Sequence, residues 1–201
     1  FATKAYEEAD RIAQVNIAAS TKNNNYRNIP RQEEIKFSPS SAYVHLTSNN
    51  TIYGTQWQYI PDCGEIPLVA DMSSDILSRK IEMNKFSLVY AGAQKNLGPA
   101  GITAVIIKKE MLEKASETIP AMLSYKVHAK AKSLYNTPTT FAIYILELVL
   151  QWIKEKGGLQ AVENTNREKC GLIYRIIDKS GGFYRGHAAP EDRSMMNVTF
   201  R

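Results

Sequence analysis

Three short apolar runs, Ile66–Ala70, Phe86–Tyr90 and Ile102–Ile107, are bounded by polar stretches rich in glycine, proline or charge. Runs of this length without polar alternation are expected of strands covered on both faces. Ala42–Leu46 has the same character, and Thr55–Tyr59 adds strand character between Gly54 and the turn Pro61-Asp62-Cys63-Gly64. Asn16–Ala19 and the closing Met195–Phe200 also read as strands. Helical spacing appears elsewhere. Ala5–Val15 sets Ala, Ile and Val against charged positions and predicts a surface helix. Met111–Glu117 predicts a short helix. A long helix is predicted from a cap at Thr139 or Thr140 to Lys156, stopped by Gly157-Gly158, and an amphipathic one over Leu159–Lys179. Thr21–Arg31, with its asparagine triplet and Pro30, is expected to be loop. Buried strands alternating with helices argue for an α/β fold around a central, largely parallel sheet.

Composition narrows this little. The 201 residues suit one domain, or one domain and part of another. The net charge of +5 is spread along the chain, and no basic run interleaves with aromatics, so nucleic-acid binding is not indicated. Phe141–Ile153 carries a single charge, Glu147, but falls short of the roughly 18 apolar residues of a membrane span. It is expected to be a core or subunit-interface helix. Cys63 and Cys170 belong to no CxxC or Cys/His cluster and read as reduced thiols of a cytosolic protein. His45, His128 and His187 are scattered, and no protein-bound metal is expected. The chain starts at Phe1 without a methionine or a signal-peptide pattern and ends at Arg201 on an apparent strand. The expectation is an internal piece of a longer protein.

The candidate chemistry lies between Ala70 and Gly101. Asp71 ends the run Ile66–Ala70, so its carboxylate is expected at the carboxyl edge of the sheet, where open α/β folds bind ligands. The same position also suits an acid that caps a turn or helix in Asp-Met-Ser-Ser. Lys95 follows in Ala91-Gly-Ala-Gln-Lys-Asn, where small residues allow close approach of a bulky ligand. A lysine partly desolvated at a strand end and near other cations is a nucleophile, whereas a lysine in a polar turn is merely solvated. The combination of strand, acid, strand and lysine suits pyridoxal phosphate, which needs an amine and an anion for its pyridine nitrogen. Nucleotide binding is disfavoured: Lys95 lies between Gln94 and Asn96 rather than in Gly-Lys-Ser/Thr, and no GxGxxG follows a strand.

Asp71–Ile107 (DMSSDILSRKIEMNKFSLVYAGAQKNLGPAGITAVII) resembles the cofactor-lysine region of the phosphoserine aminotransferase family, class-V members of the fold-type I pyridoxal phosphate enzymes. Asn50-Thr51-Ile52-Tyr53-Gly54 is similar to that family's Asn-Glu-Thr-x-x-Gly, and Leu134–Pro138 to its Tyr/Phe-Asn-Thr-Pro-Pro segment. Arg193–Asn197 also has the family's look. Lys80 and Thr139 depart from it, each standing where a proline is usual. The resemblance covers nearly the whole chain. It implies a PLP-binding large domain over 1–157, then a linking helix and the beginning of the small C-terminal domain over 158–201.

It further implies that Lys95 carries the cofactor as a Schiff base and later shuttles a proton between Cα and C4′. Asp71 would pair with the pyridine N–H and Thr51 with the phenolic oxygen. Gln94 would reach the phosphate, as would Asn136 and Thr137 from the neighbouring subunit of a homodimer. The implied reaction transfers an amino group from glutamate to 3-phosphohydroxypyruvate in serine biosynthesis, and in some bacteria serves pyridoxine biosynthesis. The family's glycine-rich phosphate segment and ring-stacking tryptophan are expected before Phe1. Its substrate arginines and His-Arg pair are expected outside the chain. Two other readings stand beside this one: another class-V enzyme, such as a serine–glyoxylate-type aminotransferase or a cysteine desulfurase, and a non-catalytic folding or dimerisation unit. By itself the 201-residue piece is expected to be inactive and to bind cofactor weakly.

Overall fold

The computed structural model describes residues 1–201. In chain order the strands are β1 (Val44–Thr47), β2 (Asn49–Asn50), β3 (Thr55–Gln56), β4 (Leu68–Asp71), β5 (Leu88–Gly92) and β6 (Thr103–Ile107). The helices are α1 (Ala2–Ala9), α2 (Lys109–Glu113), α3 (Tyr125–Lys130), α4 (Thr140–Glu155) and α5 (Gly158–Lys179). A four-stranded sheet runs in the order β1-β4-β5-β6, while β2 and β3 form a separate antiparallel ribbon. β1, β4 and β5 are mutually parallel, which brings their carboxyl ends to one edge.

Strand pleating assigns each side chain to a face. Leu46, Leu68, Ala70, Val89 and Ala91 point to one side and join Met72, Ile76, Phe86, Ala93 and Leu97 in the buried core. Each fully buried Leu, Ile, Val, Phe or Met side chain among them contributes about 1.5–3 kcal/mol. The alternate residues therefore face the other way: His45 and Thr47 on β1, Val69 and Asp71 on β4, Leu88 and Tyr90 on β5. Cross-strand register sets Thr47 and Tyr90 on either side of Asp71.

The run Ile102–Ile107 departs from expectation. It forms a strand, antiparallel to β5, but one partly open rather than covered on both faces, with Ile106 exposed. A hydrophobic run carries no record of strand direction, and β6 is an edge whose far side has no partner. The first helix ends at Ala9 rather than Val15; it buries no residue, so no packing extends it. Asn16–Ala19 is irregular, and the closing segment reduces to a single bridge between Gly186 and Phe200. Only Thr55–Gln56 of the predicted Thr55–Tyr59 is paired, the predicted Met111–Glu117 helix lies at Lys109–Glu113, and α3 went unpredicted.

Thr139 occupies the cap of α4, yet its hydroxyl bonds none of the helix amides. Gly157, just past the cap at Lys156, ends that helix at φ +98, as a left-handed terminator requires. α4 buries only Ala142 and Ile153 within the chain and leaves Phe141 (73%), Tyr144 and Trp152 (53%) exposed. It is thus no core helix of these residues. No helix is long and apolar enough to cross a membrane.

The segment after α5 returns to the ribbon. Ser194 N donates to Gly54 O at 2.8 Å, and Thr199 Oγ1 to Tyr53 O at 3.0 Å. Gly54 sits at φ +70, and a Cβ there would stand 2.6 Å from Thr199 Oγ1 and 2.8 Å from Asn197 O. Left-handed strain and overpacking combine, so Gly54→Ala is expected to cost about 3 kcal/mol. Urea unfolding of the intact protein measures this. A loss under about 1 kcal/mol would mean that the segment yields freely.

Candidate functional site

Each strand of the parallel trio ends at or leads to at least one expected residue. β1 leads through the ribbon turn to Thr51, β4 ends on Asp71, and β5 runs through Gly92 and Ala93 to Gln94 and Lys95. Parallel pairing brings the strand ends to one edge, and the ribbon carries Thr51 over it. Lys95 Nζ donates to Thr51 Oγ1 at 2.8 Å, across 44 residues of sequence. The lysine is exposed, so the expected desolvation beside other cations is not found within the chain. Its neighbours are a hydroxyl and an aromatic ring.

Asp71 uses one carboxylate oxygen locally. Its Oδ1 accepts from Ser73 N at 2.9 Å and from Ser73 Oγ at 2.6 Å, an Asx turn of the kind Asp-x-Ser favours. Ser73 Oγ also accepts from Gly92 N at 3.0 Å, which ties the acid to the loop that leads to Lys95. The turn-acid reading and the site reading of Asp71 thus hold together: Oδ1 is engaged and Oδ2 receives no hydrogen bond from the chain. Thr47 Oγ1, in register with Asp71, is buried without a hydrogen-bond partner.

On the other side of Asp71, Tyr90 Oη lies 3.0 Å from His45 Nε2, with the rings stacked. Burial pushes the Tyr90 phenol up to about 12, and the Asp71 carboxylate adds to the shift. Burial holds His45 below its usual range against the opposing pull of Asp71. Both are therefore neutral near pH 7 and leave Asp71 the negative group of this face.

Gln94 folds back over Gly92, where a Cβ would stand 2.7 Å from Gln94 Oε1. Asn136 and Thr137 do not join the group. Both are exposed, and Asn136 Nδ2 donates to Met122 Sδ at 2.9 Å. Two residues escaped the sequence reading. Ser73 was legible as the second residue after an aspartate in a turn-forming run. Phe1, whose ring centroid is 4.4 Å from Lys95 Nζ, had no local signal because nothing in sequence joins it to Lys95. The Lys80 departure has a structural role: its backbone N–H, which a proline would lack, donates to Glu163 Oε2 on α5 at 3.3 Å.

The family model described as aminotransferase class-V matches residues 2–201. Among curated proteins, the phosphoserine aminotransferase of Lysinibacillus sphaericus (strain C3-41) is 60% identical over 198 residues, covering 98% of this chain and 55% of that protein. The solved phosphoserine aminotransferase from Bacillus circulans subsp. alkalophilus superimposes with a TM-score of 0.98 at 51% identity. It covers 100% of this chain and 55% of its own. The PLP-bound phosphoserine aminotransferase from Trichomonas vaginalis gives 0.92 at 39% identity, covering 98% of this chain and 56% of its own. The chain spans about half the length of the curated relatives it matches.

Proposed function

Because the chain belongs to the class-V aminotransferase family, we propose that it carries the lysine half of a pyridoxal phosphate site. The intact protein would transfer an amino group from glutamate to 3-phosphohydroxypyruvate, giving 2-oxoglutarate and O-phosphoserine. The observation that carries this reading is the 2.8 Å contact of Lys95 with Thr51, made beside an aspartate with a free oxygen. Relatives at 60% and 51% identity bearing the name phosphoserine aminotransferase support the choice of substrates.

The residues present fit the cofactor. Asp71 Oδ2 and Thr47 Oγ1 are polar atoms at the strand ends without partners, and glycine and alanines leave the end of β5 bare. When bound, pyridoxal phosphate supplies an aldehyde for an amine and a protonated ring that withdraws electrons from a substrate Cα. Lys95 would provide the amine and a base for the proton at that Cα. Asp71 would hold the pyridine N–H through Oδ2 while Ser73 keeps Oδ1 still. Thr51, which bonds the lysine, would also hold the phenolic oxygen. Gln94 would hold the phosphate, and Phe1 offers an aromatic face over the amine.

Asn136 and Thr137 would reach the phosphate of a second copy, which makes the working unit a homodimer. The exposed apolar residues of α4 favour such an assembly. Residues 1–157 form part of the cofactor domain and 158–201 the link to a smaller one. Free cysteines, Cys63 buried and Cys170 half-buried, suit a cytoplasmic setting.

A turnover panel on the intact protein tests the substrate choice. With glutamate as donor, 3-phosphohydroxypyruvate should exceed glyoxylate and unphosphorylated hydroxypyruvate about 100-fold or more in kcat/KM, since lost charge-assisted bonds are costly. Equal turnover of glyoxylate would overturn it in favour of a serine–glyoxylate type.

A further inference from the structure

Beneath the Lys95–Thr51 pair lies a set of buried polar side chains to which the proposed chemistry gives no task. Asn49 is 1% exposed, and Gln56, Asp75 and Ser194 are fully enclosed. Asn49 Nδ2 donates to Ser74 Oγ at 2.9 Å and to Asn197 Oδ1 at 2.7 Å, and its Oδ1 accepts from Ser194 Oγ at 2.5 Å. Both amide hydrogens and the carbonyl oxygen of Asn49 are therefore engaged. Ser74 Oγ in turn donates to Asn49 O at 3.1 Å.

Gln56, paired with Asn49 across the ribbon, accepts from Met195 N at 3.2 Å and donates to Asp75 Oδ2 at 3.0 Å. Ser48 Oγ bonds the other oxygen of Asp75 and also lies 3.1 Å from Asp71 O. Burial pushes the Asp75 carboxyl up, and the bonds from Ser48 and Gln56 oppose that shift.

Three separate segments meet in this set. Asn49 and Gln56 come from the ribbon and Ser48 from the residue that leads into it, Ser74 and Asp75 from the turn after Asp71, and Ser194 and Asn197 from the segment after α5. Thr51 stands two residues beyond Asn49, and the ribbon turn that carries it is held on its far arm by Ser194 N on Gly54 O at 2.8 Å. A buried network with every member satisfied admits few alternative arrangements. Deleting one member leaves others desolvated and unpaired, and the ribbon must shift to recover them.

We propose that Asn49, through Ser194 and Asn197, is the positioning residue that sets where the Thr51 hydroxyl stands against Lys95. The segment 193–199 thereby bears on the cofactor amine through the ribbon. The inference rests on the reading of Lys95 and Thr51 as cofactor residues, and its test separates the two.

The probe is pyridoxal phosphate bound to the intact protein, and the readout is the pH midpoint of its visible absorbance. Thr51→Val fixes the direction of the shift caused by losing that hydroxyl. Asn197→Ala and Asn49→Ala should each move the midpoint the same way, by about 0.5 pH unit or more, as expected when a hydrogen bond beside a titrating nitrogen is displaced. Asn197→Asp retains the oxygen that accepts from Asn49 and should restore the midpoint. Because Asn49→Ala removes a fully buried hub, the half-buried Asn197 decides the matter if that variant does not fold.

Folded Asn197→Ala protein with an unmoved midpoint, where Thr51→Val shifts it, overturns the inference and leaves the site reading intact. A shift in Asn197→Ala that Asn197→Asp does not reverse also overturns it. Absorbance that persists in Lys95→Ala, or a midpoint unmoved in Thr51→Val, overturns the site reading and the inference with it.

Discussion

Lys95→Ala in the intact protein should abolish the visible absorbance of bound pyridoxal phosphate and lower transamination by about 10³-fold or more. Two functions fall on one amine, so the loss exceeds that of a residue that only binds. The geometry makes Lys95 the amine in question. It ends the loop after β5, meets Thr51 at 2.8 Å and lies beneath the Phe1 ring. The lysine is exposed and makes no ion pair in the chain, so its removal costs the fold little. A variant with unchanged unfolding and no visible band is the expected result, read by absorbance and thermal denaturation. An unchanged spectrum would sink the assignment.

Asp71→Asn separates the two readings of that position. Asparagine keeps an Oδ1 for Ser73 N and Ser73 Oγ, so the turn and the link to Gly92 survive. What it loses is the negative charge that faces the site. If Asp71 serves the turn alone, the variant should work as well as the parent protein. If Asp71 holds a protonated pyridine, turnover should fall by about 10²-fold or more while cofactor still binds Lys95, because a neutral amide cannot stabilise the ring cation. Tyr90 offers no substitute negative charge, since burial suppresses ionisation of its phenol, and His45 can ionise only to a cation. Steady-state kinetics together with the visible spectrum distinguish these outcomes.

Much of the site was legible before the fold. Apolar runs located the strands that end in Asp71 and precede Lys95, because burial on both faces leaves a direct mark on residue choice. Strand direction leaves no such mark, and the antiparallel pairing of β6 at the edge of an otherwise parallel sheet is visible only in the fold. Amphipathic spacing extends the first helix to Val15 because it measures what a segment would bury, and α1 stops at Ala9 because it buries no residue. The free oxygen of Asp71 follows from a local Asp-x-Ser turn, yet only the structure shows which oxygen is engaged.

The sequence by itself determined the chemistry available: one lysine in a small-residue loop, one acid at a strand end, and a threonine after the first strand. It did so because reactivity and close approach demand particular residue types at particular places along the chain. Tertiary structure alone decided which of these meet. Parallel pairing of β1, β4 and β5 brings together loops that are tens of residues apart, and Asn49 joins them to Ser194 and Asn197 across about 145 positions. Hydrogen bonds between such distant residues follow from packing, which no local pattern of apolar and polar residues encodes.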